Sequence, residues 1–287
     1  MGALATAAML LSVATRAELA DDDSDEPGAW HSASGQDRFI VALLDGQRDG
    51  FFVDVGSDEP VRQSNTRALE RDYGWHGLCI EADAAKVFAL ARRRTCSVVG
   101  AIVSGSVDQV ALAFVPAGTH PKNASAPHHD GAESDGSPAR FIFSHLVHNR
   151  SAAEAERAEQ LLRRAGGRVD HGHRTTTLAT ILTTHRAPPV IDYLSLSLGS
   201  SALEEAGLIP LLLDGRHSIR ALTLSARASS KLSERLVRVG LHLVESVRFG
   251  EAGQLWVHEA LRSDARARTR QPLAPVPMGV RSGHRVV

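Results

Sequence analysis

Residues 50–84 read GFFVDVGSDEPVRQSNTRALERDYGWHGLCIEADA, and this stretch decides the fold. Phe51 to Val55 is a short apolar run stopped by Gly56, the pattern of a buried parallel strand entering a tight turn. Helical spacing follows from about Val61 to Tyr73, with Gly74 placed as a C-cap. A second apolar run, Gly77 to Ile80, ends in the acid Glu81. Such a strand, turn, helix, strand unit suits a nucleotide-like ligand, with ribose on the acid and the charged end at the helix N-terminus. The turn has a single glycine rather than a dinucleotide fingerprint, so NAD is a poor match. The same pattern also describes a βαβ unit that binds nothing.

Outward from this unit the α/β alternation continues. Asp37 to Leu44 reads as a helix leading into the first strand, and Ala85 to Arg93 as the helix after the second. Cys96 to Val103 is the third strand, with Val110 to Val115 an extra strand beside it. Residues 116–140 turn to Gly, Ser, Ala, Pro, His and Asp without periodicity, a disordered-like insertion. Its His128-His129-Asp130, like His171 and His173, lacks partners that would make a metal site, so no metal is assigned. Phe141 to Val147 reads as a strand or as part of the insertion, and Ser151 to Arg164 as an amphipathic helix. Thr175 to Thr184 is a short threonine-capped helix, and Pro188-Pro189 open a fourth strand, Val190 to Leu198. A helix from Ala202 to Leu213, a strand from Ile219 to Ser225 and a helix from Ser229 to Val239 follow. Leu241 to Val247 and Gln254 to His258 close the chain as an antiparallel pair. The sum is a Rossmann-like, mostly parallel sheet with a terminal antiparallel strand pair.

A chain of 287 residues holds one large domain with tails, here 36–261. With 32 basic against 33 acidic residues, no preference for nucleic acid or a membrane surface follows. No apolar run approaches the roughly 20 residues of an integral membrane span. Residues 1–35 read as a signal-like leader and an acidic linker around Asp21 to Glu26. The leader lacks a positive start, and Gly2 with Thr6 also fits a myristoylation pattern. Sequons at Asn123 and Asn149 agree with a secretory or extracellular location; the alternative is cytoplasmic. Residues 262–287 read as a basic, Pro-containing disordered tail. Cys79 and Cys96 fall on neighbouring strands: an exported chain can pair them, and two small buried thiols are the simpler reading. Oligomeric state leaves no signal.

FFVDVG, SNT at Ser64 to Thr66, ALERDYGWHGLCIEAD, and later TTTLATIL and VIDYLSLSL, resemble the FkbM family of S-adenosylmethionine (SAM)-dependent methyltransferases. The resemblance runs in the family's order from about Gln36 to Leu261. It implies a class I methyltransferase fold, SAM as cofactor, and a hydroxyl on a small molecule or glycan as acceptor. It assigns Asp54, Gly56, Ser57, Asp58 and Glu81 to the cofactor, with Glu81 on the ribose. Two motifs depart from the family. Pro60 stands where glycine is usual, either stiffening the cofactor turn or sitting harmlessly at the first helical position. Asp58 and Glu59 bring negative charge toward the carboxylate end of SAM, which implies weaker binding. The family's S-L-D-x-E-G is Ser195-Leu196-Ser197-Leu198-Gly199-Ser200 here, so both acids are missing. Ser197, at the lost Asp, is the catalytic candidate, with Asp192 as a weaker one and Glu204 and His145 as further substitutes. The competing expectation is a catalytically inactive ligand- or partner-binding module on the same scaffold.

Overall fold

The computed structural model describes residues 25–114, 140–141, 152–164 and 167–268. The leader, both sequons, His128, His129 and His145 lie outside them. Strand β1 (Phe51–Val55) pairs in parallel with β2 (His76–Glu81) and with β8 (Val190–Leu196). Beyond β2 lies β3 (Ser97–Gly100); beyond β8 lie β9 (Ser218–Leu224), β11 (Gly253–His258) and β10 (Leu241–Phe249). The sheet order is β10-β11-β9-β8-β1-β2-β3, and β11 runs antiparallel to both its neighbours. The chain is thus α/β with a mostly parallel seven-stranded sheet, closed by the antiparallel pair the sequence predicts.

Alternation along β1 explains the layers. Val53 and Val55 face one core with α5 (Leu178–Thr184), α6 (Ser201–Asp214) and α7 (Ser230–Arg238). Phe52 faces the other core, with α1 (Gln36–Leu43), α2 (Arg67–Tyr73) and α8 (Arg262–Arg268). Helix α3 (Ala84–Arg93) follows β2, its N-cap Asp83 accepting from the Ala85 amide at 2.8 Å. Cys79 of β2 and Cys96 before β3 form a disulfide with Cα atoms 6.0 Å apart, so the thiol alternative does not hold. No cysteine is free.

Six expectations are corrected. Helix α2 begins at Arg67 rather than near Val61, because Ser64 to Thr66 spend their side chains on buried partners. Pro60 is therefore not a first helical residue; it is buried in the turn. The third strand breaks at Ala101, and β4 (Ile102–Val103) passes into a second sheet, which it forms with β7 (Arg168–Thr176), β5 (Gln109–Phe114) and β6 (Arg140–Phe141) in that order. In that sheet β5 lies not beside the third strand but against β7. Strand β7 occupies a polar stretch the sequence leaves unassigned, and the helix after it starts only at Leu178. The tail begins as α8, with Ala265 fully buried, instead of as disorder.

The segment before α1 is docked as well. Asp25, expected in a solvated run, accepts from Arg67 at 2.7 Å and Arg71 at 2.8 Å. Trp30 stacks on Tyr73. Among the described residues no helix is long and apolar enough to cross a membrane.

Candidate functional site

Strand register assembles the site. Val55 lies opposite Ile80 and Leu196, and Leu196 opposite Leu224. One residue further on, Glu81, Gly56, Ser197 and Ser225 stand in a row across the carboxyl edge of the sheet, where open α/β sheets place ligands. Gly56 is required there: its φ is 75°, and a Cβ would lie 2.1 Å from the Ser197 carbonyl oxygen. The turn continues through Ser57, whose hydroxyl donates to the Asp54 carbonyl at 2.8 Å. Asp58 follows in the left-handed region at φ 54°, uncommon outside glycine. With a proline at position 60, the turn takes its left-handed residues at Asp58 and at Gln63, φ 61°.

Glu81 is the hub of this end. Its Oε2 accepts the Asp58 amide at 3.0 Å, and Oε1 accepts the amides of Ala82 at 2.8 Å and Asp83 at 2.9 Å. The carboxylate thus ties the turn after β1 to the tip of β2. Lys86, from the first turn of α3, forms an ion pair with Asp58 and offsets its charge.

Asp54 sits two residues below the row, nine-tenths and more buried, inside the protein rather than at its edge. It accepts from the Thr66 hydroxyl at 2.8 Å; Thr66 in turn accepts from Arg94 Nη2 at 2.8 Å. Burial pushes the Asp54 carboxyl up, and the Arg94 charge opposes it. Arg94 Nε also donates to Glu70 at 2.6 Å, both side chains being buried. Ser64 accepts from Arg94 at 3.1 Å and Asn65 donates to Ser195 at 3.0 Å. Ser64-Asn65-Thr66 is therefore a hinge of buried polar contacts beneath the turn. Ser32 reaches the same hinge by donating to Asn65 at 2.6 Å.

Asp192 does not join the row. It pairs across from Phe51, at the opposite end of β8, five residues from Ser197 or roughly 16 Å along a strand. There it accepts the Phe51 amide at 2.9 Å and Arg220 at 2.6 Å. Its candidacy as a catalytic group is withdrawn on position.

Glu204 lies at the right end. From α6 it accepts the amides of Leu198 at 3.4 Å, Ser225 at 3.1 Å and Ala226 at 3.1 Å, and the Ser225 hydroxyl. One carboxyl thus clamps the loops after β8 and β9. Burial pushes it up to about 7, against the pull of those hydrogen bonds. The sequence names Glu204 without its partners, since an acid in a first helical turn ordinarily just serves the helix dipole. Arg94 is missed outright: ARRRT reads as a solvated helix end.

Glu70, Cys79 and Cys96 bring potential ligand atoms within 4.8 Å of one another, but the disulfide occupies both sulfurs. Comparison of the chain with family models, with curated proteins and with solved structures gives no match.

Proposed function

We propose that the chain is a class I, FkbM-type SAM-dependent methyltransferase acting on a hydroxyl of a small molecule or glycan. The observation that carries the proposal is the row at the carboxyl edge: an acid at the tip of β2 beside a left-handed turn after β1, in a sheet whose one reversed strand lies next to last. A methyltransferase of this class calls for that strand order. The chemistry at the tip of β2 fits the cofactor, a carboxylate for a ribose diol, while Glu59 and Asp58, the latter already paired with Lys86, weaken binding at the carboxylate end. When bound, SAM supplies an electrophilic methyl group. Glu81 holds the ribose, and the turn Gly56 to Asp58 positions the amino-acid end. Ser197, at the tip of β8, offers a hydroxyl that orients the acceptor. Position 197 carries no carboxylate and Glu204 is spent on the two loops, so turnover rests on proximity, and a general base worth about 10²- to 10⁴-fold is missing.

Calorimetry with SAM tests this. Wild type is expected to bind and Glu81→Gln, which keeps one acceptor oxygen, to bind at least tenfold more weakly. Equal affinity, or none in wild type, rejects the proposal. One observation favours the inactive-module alternative: Glu81 already receives three backbone amides, which a ribose must share or displace. Restoring the acid by Ser197→Asp separates the two, since only an enzyme gains turnover on a panel of sugars and hydroxylated metabolites. The Cys79–Cys96 disulfide supports a secretory or extracellular setting, because such bonds persist in oxidising compartments. Mass spectrometry of protein from a eukaryotic host, showing Met1 retained and both sequons bare, counts against it.

A further inference from the structure

A groove of about 290 Å³ opens at the same carboxyl edge, beyond β9, between the loop after that strand and the β10–β11 hairpin. Two features shape it. The pairing of β10 with β11 shifts register between Leu243 and Arg248, a bulge that re-aims the intervening side chains. The hairpin turn is tight, since a Cβ on Gly253 would lie 2.3 Å from the Phe249 carbonyl oxygen.

The lining is chemically specific. Arg227 and Arg248 both face the groove, and neither has an ion-pair partner among the described residues. Gln254 lines it too. Its Oε1 is committed to the amide of Ala228 at 2.9 Å and the indole N–H of Trp256 at 3.3 Å. That fixes the amide's orientation and turns its NH2 away from them as a donor. Two guanidinium forks and an amide donor are the groups that recognise a carboxylate or phosphate. Glu245 and Glu251 line the same groove. They repel a ligand charged along its whole length and accept hydrogen bonds from hydroxyls.

We infer that this groove seats the anionic end of the acceptor: a hydroxyl-rich molecule with one carboxylate or phosphate. The inference rests on the methyltransferase proposal, which puts the reacting hydroxyl at Ser197. From β8 to β11 is two strand spacings, so the anionic group lies roughly 10 Å from the hydroxyl to be methylated. A disaccharide spans that distance.

The full chain is titrated by calorimetry with two matched pairs: cellobiuronic acid against cellobiose, and trehalose 6-phosphate against trehalose. At least one charged member is expected to bind tenfold or more tighter than its neutral match, and the pair that discriminates names carboxylate or phosphate. Arg227→Ala/Arg248→Ala is expected to erase that preference and leave SAM affinity unchanged. Both arginines are exposed, so the variant should fold; an unchanged melting temperature checks this. Equal binding within both pairs, no binding of any charged probe, or a preference surviving in the double variant overturns the groove assignment. SAM titrated separately reports on the methyltransferase proposal alone. Lost SAM binding with the anion preference intact sinks that proposal and keeps the anion site.

Discussion

The two halves of the carboxyl edge are built differently. On the β1–β2–β3 side the edge is held from beneath by a disulfide, a buried Arg94–Glu70 ion pair and the Asp54–Thr66 contact. On the β8–β9 side a single carboxyl, Glu204, clamps two loops, and past it the hairpin leaves an open groove. The half proposed to hold the cofactor is over-determined; in the half proposed to hold the acceptor Glu204 alone ties both loops, with Glu205 and Gln254 each adding one contact to the loop after β9. Buried, fully partnered polar networks rigidify what they support, whereas few contacts leave a region adjustable. The contrast fits a site with an invariant cofactor and a variable acceptor.

The largest expected effect breaks the rigid half. Arg94→Met leaves Asp54 buried without its cation and Glu70 with only Arg67, 3.3 Å away, a loss of about 3–5 kcal/mol. For a domain of this size the melting temperature should fall by roughly 10 °C. The deficit should shrink as pH falls, because the buried Asp54 carboxyl, already pushed up by burial, can then protonate. A drop under about 1 kcal/mol would show that the network is not what stiffens this side. Next comes Cys79→Ala/Cys96→Ala. The bridge spans a sequence separation of 17, so its removal should cost about 3 kcal/mol in urea unfolding. Equal losses from disulfide removal and from Arg94→Met in one combined variant, without additivity, would mean the two act as a unit.

Much of the rigid half was legible, because its signals are local. Apolar runs at Phe51 to Val55 and Gly77 to Ile80 and Gly74 at a left-handed C-cap follow from short-range patterns, as does the terminal hairpin of the other half. What stayed hidden depends on partners far along the chain. Arg94 is buried only because Glu70 and Thr66 meet it 24 and 28 residues away. Strand β7 reads RVDHGHRTT, without apolar alternation, and is a strand only because β5 and β4 flank it. Asp192 and Ser197 both fall in the strand predicted from Val190 to Leu198, and the register puts Asp192 near the start of β8 and Ser197 just past its end.

The adjustable half should show itself through pH. Glu204 has an ordinary value of 4.5 and a folded value of about 7. Between these values the folded state holds more protons than the unfolded one, so stability falls as pH rises. The contribution is complete below 4.5 and gone above about 7, at most about 3 kcal/mol over the window. Glu204→Gln cannot titrate, so wild type minus variant should slope downward across that range in denaturant titrations. Asp37 and Asp54, also pushed up by burial, are present in both proteins and cancel. A flat difference would remove Glu204 as the clamp's titrating group and weaken the contrast between the halves.

The smallest effect tests whether the contrast concerns the edge alone. Asp192 lies on β8, whose far tip leads into Ser197, but at the amino end, where it accepts the Phe51 amide and pairs with Arg220. In Asp192→Asn the side-chain oxygen can still take the amide, so the hydrogen bond that fixes the start of β1 survives. What is lost is the charge on a partly exposed ion pair, its Arg220 side chain 34% accessible, which is worth about 0.2–1 kcal/mol. Stability should therefore drop by no more than about 1 kcal/mol, and less at high salt. SAM affinity and turnover should not change, because the strand's hydrogen bonds to β1 and β9 carry the register between Asp192 and the tip. A tenfold change in SAM affinity would mean that a charge roughly 16 Å down the strand reaches the edge. The two ends of β8 would then be coupled, and the rigid and adjustable halves would divide the whole sheet rather than its carboxyl edge.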